Sequence, residues 1–204
     1  MAPTGFQFSA EDLRNILISG VVVGAAFAAY KTVTSPIPML TLLFFGLITV
    51  SAREIGQRMV AQSMEAEVSS EVSRSGAVTT LVVAMLSYIS SFSLVFLVPV
   101  FSSFSVESHQ HWGKGIDAIW AKREYWLASA GITSLLVIWA LAFLGDYNIL
   151  AEMIALFTFF QLLPLDAEKG ICGKLDGAYI MLWTGFTWLI FMGLTIIAMI
   201  LSVL

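Results

Sequence analysis

Leu42-Leu43-Phe44-Phe45-Gly46-Leu47-Ile48-Thr49-Val50-Ser51-Ala52-Arg53-Glu54-Ile55-Gly56-Gln57-Arg58-Met59-Val60-Ala61-Gln62 passes without a break from hydrocarbon-like residues into charge. The uncharged run 32–52 that contains its first half is 21 residues long. A helix that crosses a bilayer needs about 20 mostly apolar residues at 1.5 Å each, so a spanning helix is expected at 37–62. Arg53 and Glu54 then stand at or near the hydrocarbon, where charge is costly and marks a functional site by default. The plainer alternative is that the helix surfaces at Ser51, leaving Arg53, Glu54 and Arg58 as headgroup anchors.

Working outward, further uncharged runs cover 15–30, 75–106, 125–145, 153–165 and 177–204. The whole chain of 204 residues is 58% hydrophobic and only 12% charged, where a soluble domain carries about a quarter charged residues. A water-facing surface with its 15 Phe, 6 Trp and 9 Met would aggregate. These numbers predict an integral, multi-pass, all-α membrane protein, a single domain over 1–204 with six helices at about 13–33, 37–62, 77–99, 124–144, 147–164 and 177–203. Ser9 is expected to cap the first helix, with Glu11 and Asp12 at the positive end of its dipole. Ser35-Pro36-Ile37-Pro38 separates the first two helices, because proline lacks the amide proton. The first 14 residues hold two acids and one Arg, which is not the basic start of a cleaved signal. A net charge of −4 excludes a nucleic-acid binder, and a lone cysteine, Cys172, excludes a disulfide scaffold. Gly20, Gly24 and Ala28 form a small-residue stripe of the kind that packs helices.

Arg53-Glu54-Ile55-Gly56-Gln57 has the frame of H-E-x-x-H, in which two histidines one turn apart bind zinc and the glutamate handles the proton. Both histidine positions are altered. Three further stretches follow in order: Phe96-Leu97-Val98-Pro99; Trp126-Leu127-Ala128-Ser129-Ala130-Gly131-Ile132-Thr133-Ser134; and Leu162-Leu163-Pro164 with Lys174-Leu175-Asp176-Gly177 and Trp183. Together with Arg53–Gln62 they resemble the site-2 protease family of intramembrane metalloproteases, especially its short archaeal members, over about residues 10 to 195. The second resembles the family's L-A-G-P-x-x-N motif with Ile132 and Ser134 substituted, and the third its N-x-x-P…L-D-G motif. The resemblance implies a site-2-protease-like core in which Glu54 holds the position of the proton carrier and Asp176 that of a metal ligand. Arg53 and Gln57 then hold the two histidine positions.

Those substitutions change the chemistry. Arginine has no lone pair to give, and a glutamine carbonyl is a weak zinc ligand. No metal and no cofactor is expected at Arg53, Gln57 and Asp176, and the retained Glu54 is expected to be inactive. Asp166 is a rival for the ligand aspartate, but Leu175-Asp176-Gly177 running toward Trp183 matches the family's continuation better. His109 and His111, beside Glu107, offer a metal pair that would restore an active metallopeptidase with altered ligands. The reading preferred is a pseudoprotease of the cell membrane that binds a transmembrane partner, or serves as a subunit of a larger membrane complex. A transporter or lipid-handling protein using the vacated cavity is the other alternative.

Six spans place both ends of the chain on one side, with Arg14, Arg58 and Arg74. Lys31, Lys114, Lys122, Arg123, Lys169 and Lys174 then fall on the other. The positive-inside tendency puts that second group in the cytosol, whereas the resemblance puts the first there. The resemblance is preferred because it covers nearly the whole chain.

Overall fold

The structure, a computed structural model, describes residues 8–64, 66–90, 95–106, 116–167 and 173–203. Helix α1 (Ala10–Tyr30) starts as expected. The Ser9 hydroxyl accepts the Asp12 amide at 3.0 Å while the Asp12 carboxylate accepts the Ser9 amide, also at 3.0 Å. Pro36 opens α2 (Pro36–Met64), the helix position where its missing N–H is lost to no partner. Then come β1 (Ala66–Val72), α3 (Arg74–Ser90), β2 (Val100–Val106), α4 (Ile116–Leu144) and α5 (Asn148–Gln161). The chain closes with β3 (Asp166–Ala167), β4 (Gly173–Lys174), α6 (Asp176–Trp183) and α7 (Gly185–Val203). Of these helices α1, α2, the Ala121–Leu144 part of α4, and α7 are long and apolar enough to cross a membrane.

Two of the six expected helices are interrupted, and α4 starts at Ile116, ahead of the expected 124. The run 77–99 holds a 17-residue helix, α3, and residues 95–99 are outside any helix or strand. The run 177–203 breaks at Thr184, whose extended backbone (φ −154°, ψ 109°) separates α6 from α7. Two small antiparallel pairs also qualify the all-α expectation. β1 pairs with β2 from Ala66↔Val106 to Val72↔Val100, and β3 pairs with β4.

The stripe on α1 is an internal seam. A Cβ on Gly46 of α2 would fall 2.2 Å from the Gly20 carbonyl oxygen, and one on Gly24 would fall 2.6 Å from that of Leu42. Backbones this close require glycine on both sides. Beside the seam Val23, Phe27 and Val50 pack with Leu135, Met153, Ile154 and Phe157 into one core.

The polar contacts fix which end of the bundle each segment occupies. Asn15 donates to the Ser70 carbonyl at 2.7 Å, so the start of α1 lies at β1 and the end of α2. Lys31 meets Glu152 at 2.6 Å, so the end of α1 and the start of α5 share the opposite end. Helix α3 leaves from the β1 end, and the chain comes back to it: Val98 donates its amide to Thr80 at 3.2 Å, and Ser73 donates to the Pro99 carbonyl at 3.1 Å. Trp139, near the end of α4, donates to Ser202, near the end of α7, at 2.9 Å. The chain therefore traverses the bundle five times, by α1, α2, α4, α5 and α7, with α3 entering and returning. Phe8 and Val203 consequently lie at opposite ends, not at the same end as six traverses required.

Candidate functional site

Arg53 and Gln57 are one turn apart on α2 and face α4 and α6 together. Glycines make that approach feasible. A Cβ on Gly131 of α4 would sit 2.9 Å from the Gln57 amide nitrogen and 3.2 Å from Arg53 Cγ. One on Gly177 would sit 2.0 Å from the Leu162 carbonyl oxygen, so only glycine lets α6 begin against the end of α5 with Asp176 in its first turn. Ser134 lies against Gly56 and bonds the Ala52 carbonyl at 2.8 Å, tying α4 to α2.

The side chains brought together form two layers joined by Glu54. In the first, Arg53 grips Asp176 with two bonds, Nε to Oδ2 and Nη2 to Oδ1, each 2.7 Å. Its Nη1 donates to Glu54 Oε1 at 2.8 Å and to Ser102 Oγ at 2.9 Å. Gln57 donates to Asp176 Oδ1 at 3.1 Å and accepts from the Ser102 hydroxyl at 2.7 Å. Arg53, Glu54, Gln57 and Asp176 all have 0% exposure. Charges so deeply buried persist only when paired and hydrogen-bonded.

In the second layer Glu54 Oε2 accepts from the Ser70 hydroxyl of β1. Arg58 reaches Asp12 at 3.0 Å, the Val68 carbonyl at 2.9 Å and Ser70 Oγ at 3.2 Å. Its guanidinium lies over the Phe8 ring, 4.5 Å from the centroid. Asp12 accepts the Ser70 amide at 2.9 Å, so side chains from α1 satisfy both backbone groups of Ser70. The whole cluster holds three carboxylates and two guanidiniums.

The expected residues Arg53, Glu54, Gln57 and Asp176 thus meet at one place, and the anchor alternative for Arg53 and Arg58 does not hold. His109 and His111 lie outside the described residues, so their metal reading is not addressed there. Asp166 has its backbone in β3, opposite Lys174, and its side chain also falls outside what is described. Among the described residues, no three His, Cys, Asp or Glu side chains gather as a metal ion would need. Sequence reasoning missed Ser70, Ser102, Asn15 and the pairing role of Asp12. The available signal for the two strands was the every-second-residue pattern Ala66, Val68, Val72 and Val100, Phe104, Val106, with Ser70 and Ser102 each taking one place on the apolar side. No protein-family model, no curated protein and no solved structure matches the chain.

Proposed function

We propose that the chain is a multi-pass protein of the cell membrane with a site-2-protease-like core whose metal centre has been replaced by an internal ion pair. On this reading it is a pseudoprotease that serves as a binding subunit for a transmembrane partner or a larger membrane complex, without a metal or cofactor. The observation that carries it is the Arg53 guanidinium clamped on Asp176 and touching Glu54. That is the place where the resemblance calls for a dication holding the two acids. A guanidinium supplies positive charge and directed donors but no coordination and no activated water. The apolar lengths of α1, α2, α4 and α7 support the membrane assignment.

Purification in mild detergent with metal analysis and identification of co-purifying proteins tests this. The expected result is no stoichiometric zinc and a membrane-protein companion in constant ratio. A tetrahedral zinc with ligand distances of about 2.0–2.2 Å at Asp176, or peptidase activity abolished by Glu54→Gln, would overturn it.

A further inference from the structure

The outer face of α4 changes along its length in the order that a phospholipid does. Lys122 and Arg123 lie four and three positions before Trp126, so the three share one face. Further along, the same face carries Ala130, Thr133 and Val137. Lys122 and Thr133 are exposed, as are Trp126 (45%) and Val137 (52%). The Thr133 hydroxyl is turned back onto the Ser129 carbonyl at 2.7 Å, which leaves that face apolar below the tryptophan. From Trp126 to Val137 the strip is about 16 Å long, roughly one leaflet of a ~30 Å hydrocarbon core.

Charge is sorted between the two sides of the same turn. Glu124 stands four positions before Ala128 and meets Lys174 at 3.8 Å, whose ammonium lies 3.9 Å from the Tyr179 ring centroid. Tyr179 packs with Ala128, so the acid is engaged on the inner side. Among the described residues neither Lys122 nor Arg123 has an acidic partner. The membrane-length part of α4 starts at Ala121, which puts both cations in its first turn, at headgroup depth. Trp126 meets the Tyr125 ring edge-on at 5.3 Å, and Tyr125 lies 6.3 Å from Trp183, a cluster of the kind that marks a membrane interface. We propose that Lys122, Arg123 and Trp126 bind an anionic phospholipid. The two cations hold its phosphate, with the arginine fork engaging two oxygens, and an acyl chain lies along Ala130, Thr133 and Val137. The inference rests on the proposal that the bundle spans a bilayer, but not on loss of protease activity.

The test reconstitutes the full chain in phosphatidylcholine vesicles and adds phosphatidylglycerol with brominated acyl chains, which quench a tryptophan they touch. The signal of Trp126 is the part of the fluorescence that Trp126→Phe removes. Brominated phosphatidylglycerol should quench it at a lower share of the lipid than brominated phosphatidylcholine does. Lys122→Gln and Arg123→Gln should each raise the share needed by about fivefold, the worth of one cation at an anionic surface. Arg14→Gln combined with Arg74→Gln removes two exposed cations on α1 and α3 and should leave it unchanged. Equal quenching by the two lipids, or an equal shift from the Arg14 and Arg74 pair, would overturn the site. Relief of the quenching by inorganic phosphate would overturn the lipid as its ligand. Release of the protein by alkaline carbonate would instead remove the bilayer assignment, which separates that failure from the others.

Discussion

Arg53 has five N–H donors, and four of them find acceptors on Asp176, Glu54 and Ser102. Lysine could not reproduce this, because a point charge lacks the fork that holds a carboxylate at two atoms. Removing the guanidinium leaves two buried acids with too few donors, so Arg53→Ala is expected to cost about 3–5 kcal/mol in thermal or denaturant unfolding in detergent. Asp176→Asn made in the Arg53→Ala background should recover part of that loss, since the orphaned charge goes with it. A loss under about 1 kcal/mol for Arg53→Ala would show an anchor, not a buried pair. The pairing itself was legible in the sequence. Positions 53 and 57 share a helix face, and Leu175-Asp176-Gly177 marks a helix start carrying an acid. The serines were harder to read, because Ser70 and Ser102 meet only through the pairing of two strands far apart in sequence, and serine on an inward strand face does not announce its partner.

Glycines set the spacing of the elements, and their two environments make a clean comparison. Gly46 faces the Gly20 backbone, whereas Gly193 of α7 has open space where a Cβ would go. Gly46→Ala must push α1 from α2 and is expected to lower stability by about 1–3 kcal/mol, the usual range for overpacking. Gly193→Ala should be neutral, or stabilising by up to about 1 kcal/mol, because alanine is the better helix former. Equal midpoints for the two variants in the same detergent would refute the seam. At this scale the sequence was partly readable. Long apolar runs gave α1, α2 and α5 within a few residues and the end of α4, whose charged first turns lie ahead of its apolar run. It misled at 77–99, where helix and extended chain are equally apolar and periodicity cannot separate them. The short strands hid because Ser70 and Ser102 each interrupt the apolar side of an already short alternation.

Across the whole molecule the two ionic layers behave as one unit because Glu54 belongs to both. Its Oε1 takes Arg53 and its Oε2 takes Ser70, which also receives Arg58. The layers thereby link α1, α2, β1, β2 and α6, elements drawn from nearly the full length of the chain. The Lys31–Glu152 pair closes the opposite end, with the ammonium 5.1 Å from the Tyr30 ring centroid, and among the described residues it shares no partner with the cluster. Interaction energies follow from this wiring. Once Arg53→Ala has left Glu54 short of donors, removing Arg58, whose Nη1 lies 3.7 Å from Glu54 Oε2, strips the second guanidinium from the same acid. The double variant should therefore deviate from additivity by about 0.5–3 kcal/mol, the range for residues within one network. Arg53→Ala combined with Lys31→Ala should add to within about 0.5 kcal/mol, as independent sites do. Unfolding free energies of the three single and two double variants, measured in one detergent, decide the matter. Additivity of Arg53 with Arg58 would mean that Glu54 does not couple the layers, and the Asp12 and Asn15 contacts of α1 with Ser70 and Arg58 would then act independently of Arg53.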